Sequence, residues 1–351
     1  MTIALDEKRA REFLAKHGIA QGVTDCGIKK IAGDASFRSY YRISTTTFCA
    51  ISYFDNLSQR STKHEARSTN KNNSFILMFA PPQYEKIEPF IAIDEFLVSH
   101  DFSAPKIFAR DEKEGFLLLE DLGDETYGKA LLLDVSKEFT LYEKACDVLL
   151  ELHKLATPKN IPNYNHSLLF REVMLFVDWY LPLQKKPMSL QEKACFKFLW
   201  FELFDLLSRE NQVLVLRDYH ADNLMILPDR VGHKTVGLLD FQDAVAGSKA
   251  YDLVSLLEDA RRDVDEKNRQ KILEYYLQKS GCDEAIFMRD YEILSLQRNI
   301  KILGIFARLS VRDGKHSYLQ LLPRVLAFVI ARLNSQSRIF FEISDLLKRF
   351  L

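Results

Sequence analysis

Asp218 and Asn223 sit on one short stretch, VLVLRDYHADNLMIL (213–227), and Asp240 follows downstream. The apolar runs Val213–Leu216 and Leu224–Leu227 read as strands, so the charged and hydrogen-bonding residues between them fall on a loop. A third apolar run, starting near Thr235, ends in Asp240. If these runs are neighbouring strands, the polar groups all emerge near one edge. An amide oxygen and a carboxylate oxygen held close together suit magnesium, a hard cation that takes oxygen ligands and shares them with phosphate. A second carboxylate nearby can orient or deprotonate an attacking hydroxyl.

This spacing is that of a kinase catalytic loop, R-D-x-x-x-x-N, followed by a metal-binding Asp-Phe. Alone, D-x-x-x-x-N says little, since chance supplies about one match in a chain of this composition. The flanking strands and the DFQD downstream weigh against a plain solvated turn. RDYHADN, LLDFQDA and YDLVSLLEDA together resemble the aminoglycoside phosphotransferase superfamily, relatives of the protein kinases. GDASFRSYYRI, an Ala-Pro-Pro after a strand, LLLEDLGD and QRNIKILGIFARLSVRDGK resemble its cell-wall amino-sugar kinase branch. The likeness runs in family order over about residues 30–320.

The resemblance implies an α+β, bilobal, protein-kinase-like fold with a small β-rich N-lobe and a large helical C-lobe. It implies ATP and Mg2+ as cofactors, and as acceptor the anomeric hydroxyl of N-acetylmuramate or N-acetylglucosamine in cell-wall sugar recycling. Asp218 is then the base or hydroxyl-orienting residue, with Asn223 and Asp240 as magnesium ligands. Asp243 helps to place metal or loop, or is an ordinary turn acid. His220, on the substrate side, hydrogen-bonds within the loop. Asp222 is a further ligand or an exposed loop acid, and Asp252 anchors the loop from the next helix.

On the nucleotide side, Glu120 and Leu122 mark the hinge where backbone groups would meet adenine. Ser36, in Gly33-Asp34-Ala35-Ser36, would sit in a turn above the phosphates, unless that turn is a plain hairpin. Arg38 and Arg42 share a strand face by period two and would add donors there. Arg261 and Arg262 would approach the acceptor, where a guanidinium suits the lactyl carboxylate of N-acetylmuramate, or else form an exposed helix end.

Two departures from the kinase pattern stand out: FILMFAPP has no lysine, and Leu216 replaces the His of H-R-D. Arg38, Arg42 and Lys63 are candidates for the missing charge, and Glu95 for its pairing acid. A missing lysine would suit a nucleotide-binding pseudokinase, but an intact Asp218, Asn223 and Asp240 argues for catalysis. A metal phosphohydrolase built on Asp218, Asp222, Asp240 and Asp243 is a third reading. The long helical part, able to enclose an acceptor and exclude water, favours transfer. Among transferases, aminoglycoside and choline-type kinases are the alternatives. Ser255–Leu351 carries 17 Lys+Arg against 13 Asp+Glu, a poor match to a polycationic aminoglycoside.

The elements that must position these residues follow from periodicity. Residues 1–120 read as a strand-rich, nucleotide-binding lobe and 121–351 as a helical lobe carrying the loop and the acceptor site. A hairpin spans DCGIKKIAGDASFRSYYRIST, SFILMFAPP is a buried strand, and APKIFAR and GFLLLEDLGD are two more. Pro89–His100 reads as a helix with Phe90, Ile93, Phe96 and Leu97 on one face. Leu141, Ala145, Val148, Leu149, Leu152 and Leu155 line another, residues 190–209 form a second long helix, and helices resume beyond Tyr251. The polar stretch 55–74 reads as a surface loop. Hydrophobic content of 47% and net charge of −1 are ordinary for a soluble protein and give no bulk attraction to nucleic acid or membrane. Five scattered cysteines, Cys26, Cys49, Cys146, Cys195 and Cys282, lack C-x-x-C spacing and fit a reducing cytoplasm. The N-terminus lacks the apolar core of a signal peptide, and no run is long enough to span a membrane.

Overall fold

The computed structural model describes residues 5–17, 27–33, 37–44, 74–209 and 212–351. Two compact units divide the chain, Met1–Asp124 and Glu125–Leu351. Ser36, with its neighbours Asp34 and Ala35, lies outside the described residues, as do Lys63, Cys26, Cys49 and most of the polar stretch 55–74.

The first unit holds β1 (Ile28–Gly33), β2 (Ser39–Ser44), β3 (Ser74–Phe79), β4 (Ile107–Asp111) and β5 (Phe116–Glu120), of which β3 and β5 are apolar runs buried almost throughout. They make one antiparallel sheet in the order β1-β2-β3-β5-β4. The register aligns Tyr41, Leu77 and Leu118 in one cross-strand row and sets Ile43 opposite Phe75. That face buries itself against Ala10, Phe13 and Leu14 of α1 (Glu7–Lys16). Period two sends Arg42 to the opposite face, in a row with Ile76 and Leu119.

The expected helix is α2 (Glu88–Ser99), with Phe90, Ile93 and Leu97 buried. Phe96 is only half-buried, and Asp94 joins the buried stripe instead. Apolar periodicity gives no sign of a carboxyl at a core position. Burial pushes the Asp94 carboxyl up to about 8.

The second unit opens with α3 (Tyr127–Leu133) and α4 (Glu138–Leu152), then α5 (His166–Leu175). A π-helical turn, Phe176–Tyr180, joins α5 to the short α6 (Leu181–Leu183). A Ser189–Glu192 capping box starts α7 (Leu190–Asp205). Four short strands follow: β6 (Val213–Val215), β7 (Leu224–Ile226), β8 (Val236–Leu238) and β9 (Val245–Gly247). β6 pairs with β9 and β7 with β8. The remainder is α8 (Ala250–Leu257), α9 (Glu266–Ser280), α10 (Glu284–Asp313), α11 (Leu322–Leu333) and α12 (Phe341–Leu347).

Two helix ends differ from expectation. The apolar stripe of α4 stops at Leu152 and leaves Leu155 half-buried beyond the helix end, and α7 ends at Asp205, short of residue 209. No helix among the described residues is long and apolar enough to cross a membrane.

Two features of this unit fix where its polar loop lies. The first is Gly304, where α10 meets the end of α5. A Cβ at this glycine would lie 2.2 Å from the Leu175 carbonyl carbon and 2.5 Å from the Phe176 nitrogen. Main chain cannot give way as a side-chain tip can. Gly304→Ala is therefore expected to destabilise the protein by about 3 kcal/mol, read as a lower urea midpoint. An unchanged midpoint would show that the helices can separate at little cost.

The second is Asp252 in the first turn of α8, which is fully buried. Its carboxylate accepts from the backbone N–H of Leu216 at 2.7 Å and of Arg217 at 2.8 Å. Burial pushes this carboxyl up to about 7, against the pull of the two amide bonds. Its folded-state pKa thus lies above that of an unfolded chain, about 3.9. The group's contribution to stability is complete at acid pH and fades as pH rises through about 7. Asp252→Asn removes that ionisation. The fall in Tm between pH 5 and pH 8 should be smaller in the variant than in the parent chain, and an identical fall would contradict the assignment.

Candidate active site

Asp218 follows β6 on the loop that Asp252 holds. Arg217, just before it, has φ +71°, left-handed backbone that a non-glycine residue seldom adopts. Four interactions hold Arg217 there besides the amide bond to Asp252. Ser255 Oγ donates to its carbonyl at 3.1 Å, and its Nη1 donates to the Asp243 carbonyl at 3.1 Å. Its guanidinium stacks on the Tyr164 ring and pairs with Glu172. Glu172 is itself buried on α5, where it also accepts from Tyr164 Oη and, at 3.0 Å, from Gln297 Nε2. Lys301 Nζ lies 3.7 Å away from it. Burial opposes the Glu172 charge, yet Lys301 and Arg217 hold its carboxyl below the ordinary range.

Further along the loop, Tyr219 Oη donates to the Ala145 carbonyl of α4 at 2.8 Å. Asn223 closes the turn: its Nδ2 donates to the Asp218 carbonyl at 2.9 Å and stands 3.3 Å from Asp240 Oδ2. The Leu239 N–H donates to the Asn223 carbonyl at 3.0 Å. Asp240 has φ +60°, a second left-handed non-glycine residue, and its other oxygen accepts from Gln242 Nε2 at 2.7 Å. Such backbone outliers gather where a structure must aim a side chain. Asp218, Asn223 and Asp240 are each half-buried. Among the described residues the Asp218 carboxylate has no hydrogen-bond or ion-pair partner.

His220 is buried, with Nε2 facing Asn223 Nδ2 at 3.3 Å and Arg261 Nη1 at 3.1 Å. Both neighbours are donors, so this nitrogen accepts and the ring is neutral. Burial, reinforced by Arg261 and Arg298, pushes its pKa well below the usual histidine value. Asp222 is exposed, 3.8 Å from Arg261. The Asp243 side chain is also exposed, and the residue serves the loop through its carbonyl. Arg262 is turned to α4, pairing with Glu138 at 2.8 Å and donating to Tyr142 Oη at 2.9 Å.

Within the first unit, Arg42 is held by the end of β5. It contacts Asp121 at 2.7 and 3.0 Å, Asp124 at 2.8 Å and the Gly123 carbonyl at 3.2 Å. Asp121 also accepts from Ser74 Oγ. Arg38 is buried, with its Nε 3.8 Å from Glu85. Glu120 and Leu122 are half-buried on either side of Asp121, and the Glu120 N–H donates to the Lys106 carbonyl at 2.8 Å. Glu95 is exposed and pairs with Arg110 at 3.1 Å. The Arg42 contacts tie β2 to the segment after β5, and Glu95 has no strand-three cation to meet. Glu172, Gln297 and Lys301 were not foreseen. A buried acid in an apolar helix looks like a surface residue until its cations are found across the fold.

The family model described as phosphotransferase enzyme family matches residues 27–291. A protein of Pseudomonas putida named N-acetylmuramate/N-acetylglucosamine kinase is 35% identical over 338 residues, 94% of this chain and 89% of that one. A protein of the same name from Caulobacter vibrioides is 32% identical, over 94% of this chain and 93% of that one. Among solved structures, a spectinomycin phosphotransferase superposes with a TM-score of 0.60 at 12% identity, covering 94% of this chain and 99% of its own. A choline kinase from Streptococcus pneumoniae gives 0.58 at 11% identity, covering 93% and 99%. These share the α+β kinase-like fold that the motifs implied. With its loop, its DFQD strand end and three quarters of its length matching in order, the chain belongs to the phosphotransferase enzyme family.

Proposed function

We propose that the protein is a cytoplasmic, ATP- and magnesium-dependent kinase of a small amino sugar, acting on the anomeric hydroxyl of N-acetylmuramate or N-acetylglucosamine. The observation that carries this reading is the Asn223 amide, which joins the Asp218 turn to the Asp240 carboxylate. The names of the relatives support the acceptor class. In this reading residues 1–120 serve the nucleotide, and 121–351 carry the reacting groups and the acceptor.

The donor set fits magnesium. Asn223 turns its nitrogen toward Asp218 and Asp240, which leaves its amide oxygen on the other side, and Asp240 adds a carboxylate. No cluster of three or more His, Cys, Asp or Glu occurs among the described residues. Magnesium here would be bound by one or two protein oxygens and otherwise by phosphate and water. When bound, magnesium would neutralise charge on the transferring phosphoryl group.

Asp218 takes the proton of the acceptor hydroxyl as that oxygen attacks the γ-phosphorus, and ADP leaves. Among the described residues its carboxylate is unengaged while its backbone is pinned, so it can meet a substrate without first breaking a bond of its own. His220 stays neutral and holds Asn223 and Arg261 in place. Arg217, Glu172 and Lys301 fix the loop from beneath. Arg42 braces the chain where it leaves β5, beside Glu120 and Leu122, where backbone groups would face adenine.

Transfer of labelled γ-phosphate to a panel of N-acetylmuramate, N-acetylglucosamine, choline and kanamycin tests the acceptor class. Asp218→Asn should lower kcat by about 100-fold or more, with KM for ATP little changed. Full activity in that variant would remove Asp218 from the mechanism, and turnover confined to choline or kanamycin would reject the acceptor.

A further inference from the structure

The reading above leaves the C-terminal half of α10 without a task, although GIFARLSVRDGK carries part of the likeness to amino-sugar kinases. We propose that Arg308 is the acceptor-site group that receives a carboxylate of the sugar, an inference that rests on the amino-sugar reading.

Arg308 is half-buried, and its Nε is sealed from solvent with no hydrogen-bond acceptor. Arg217, Arg269 and Arg289 share a sealed Nε, but each faces a carboxylate: Glu172, Glu266 and, at 3.8 Å, Asp290. Arg308 has no such partner among the described residues. The charges acting on it belong to Arg312 and Asp313. Asp313 is spent on Arg312, which donates to it at 2.7 and 2.8 Å. Burial, followed by Arg312, pushes the Arg308 pKa below the ordinary arginine value. The fold therefore keeps a cation partly desolvated beside another cation, an arrangement that costs stability until an anion arrives.

Arg308 shares its helix with the residues that brace the loop. α10 meets Ser248, just past β9, at Asp290, and then passes Glu172, the partner of Arg217, at Gln297 and Lys301. Arg308 lies two turns further, roughly 10 Å along the axis from Lys301. Between them Gly304 draws the helix onto the π-helical turn Phe176–Tyr180, and such turns recur at functional sites. Arg261 and Arg262 are less suited to a sugar carboxylate, since Asp222 and Glu138 already face them.

The two candidate sugars differ in this group. N-acetylmuramate carries a lactyl carboxylate where N-acetylglucosamine has a hydroxyl, so a guanidinium here would matter for one and not the other. Steady-state kinetics on both sugars with Arg308→Gln and Arg308→Lys provide the test. Arg308→Gln should raise KM for N-acetylmuramate by about 10-fold or more, the loss of one charge-assisted hydrogen-bonded pair. KM for N-acetylglucosamine should move by less than about threefold, and Arg308→Lys should fall between for N-acetylmuramate. Should the glutamine chain not fold, the lysine chain carries the comparison, with a smaller rise still confined to N-acetylmuramate. An equal effect on both sugars, or on neither, would overturn the role of Arg308 and leave the kinase reading standing. A parent chain that phosphorylates neither sugar would sink both.

Discussion

Asp252 has its carboxylate committed to two consecutive amides, Leu216 and Arg217, and this fixes how the chain leaves β6. The turn needs left-handed backbone at Arg217, which carries a Cβ and resists it. Asp252 offsets that resistance through its two amide bonds, and the ion pair with Glu172 adds to it. Once Arg217 is placed, the Asp218 carbonyl points at Asn223, and Asn223 in turn meets Asp240. Each step follows from the preceding one, so the geometry of the site depends on a buried acid that never faces it.

The charges beneath the loop obey the same logic. Glu172 is surrounded by Arg217 and Lys301, with Tyr164 and Gln297 donating to its remaining lone pairs. A buried carboxylate survives ionised only with this much compensation. The reward is positional: α5, α10 and the loop share one set of bonds and cannot drift independently. Arg308, two turns further on, shows the opposite condition, a half-buried cation whose neighbouring acid Asp313 is bonded to Arg312.

The loop was legible in the amino-acid sequence because its polar residues stand close together between apolar runs, and because Asp240 ends the next such run. Strand β2 was legible as a β-rich stretch of a hairpin, β3 and β5 as short apolar runs, and α4 from its apolar stripe. What escaped notice has a common cause. Arg42 and Asp121 lie 79 residues apart, and Arg217 and Glu172 lie 45 apart. Residue type announces a charge, but only the fold reveals its partner. Arg42 reads as a donor to phosphate, and its contacts to Asp121 and Asp124 carry no signal in the sequence. The adjacent pair Arg261-Arg262 looked equivalent, yet one side chain turns to His220 and the other to Glu138. The end of the α4 stripe at Leu152 was missed for a smaller reason, since Leu155 keeps the period after the helix has ended.

On the proposed reading, Asp218, Asn223 and Asp240 form one nucleotide–metal centre. Manganese, a spectroscopic substitute for magnesium, tests it through electron paramagnetic resonance with a non-hydrolysable ATP analogue. The parent chain should hold the ion tightly only when the nucleotide is present, and Asp240→Asn should weaken that binding by about 10-fold or more. Manganese binding that ignores either the nucleotide or the Asp240 substitution would contradict the account.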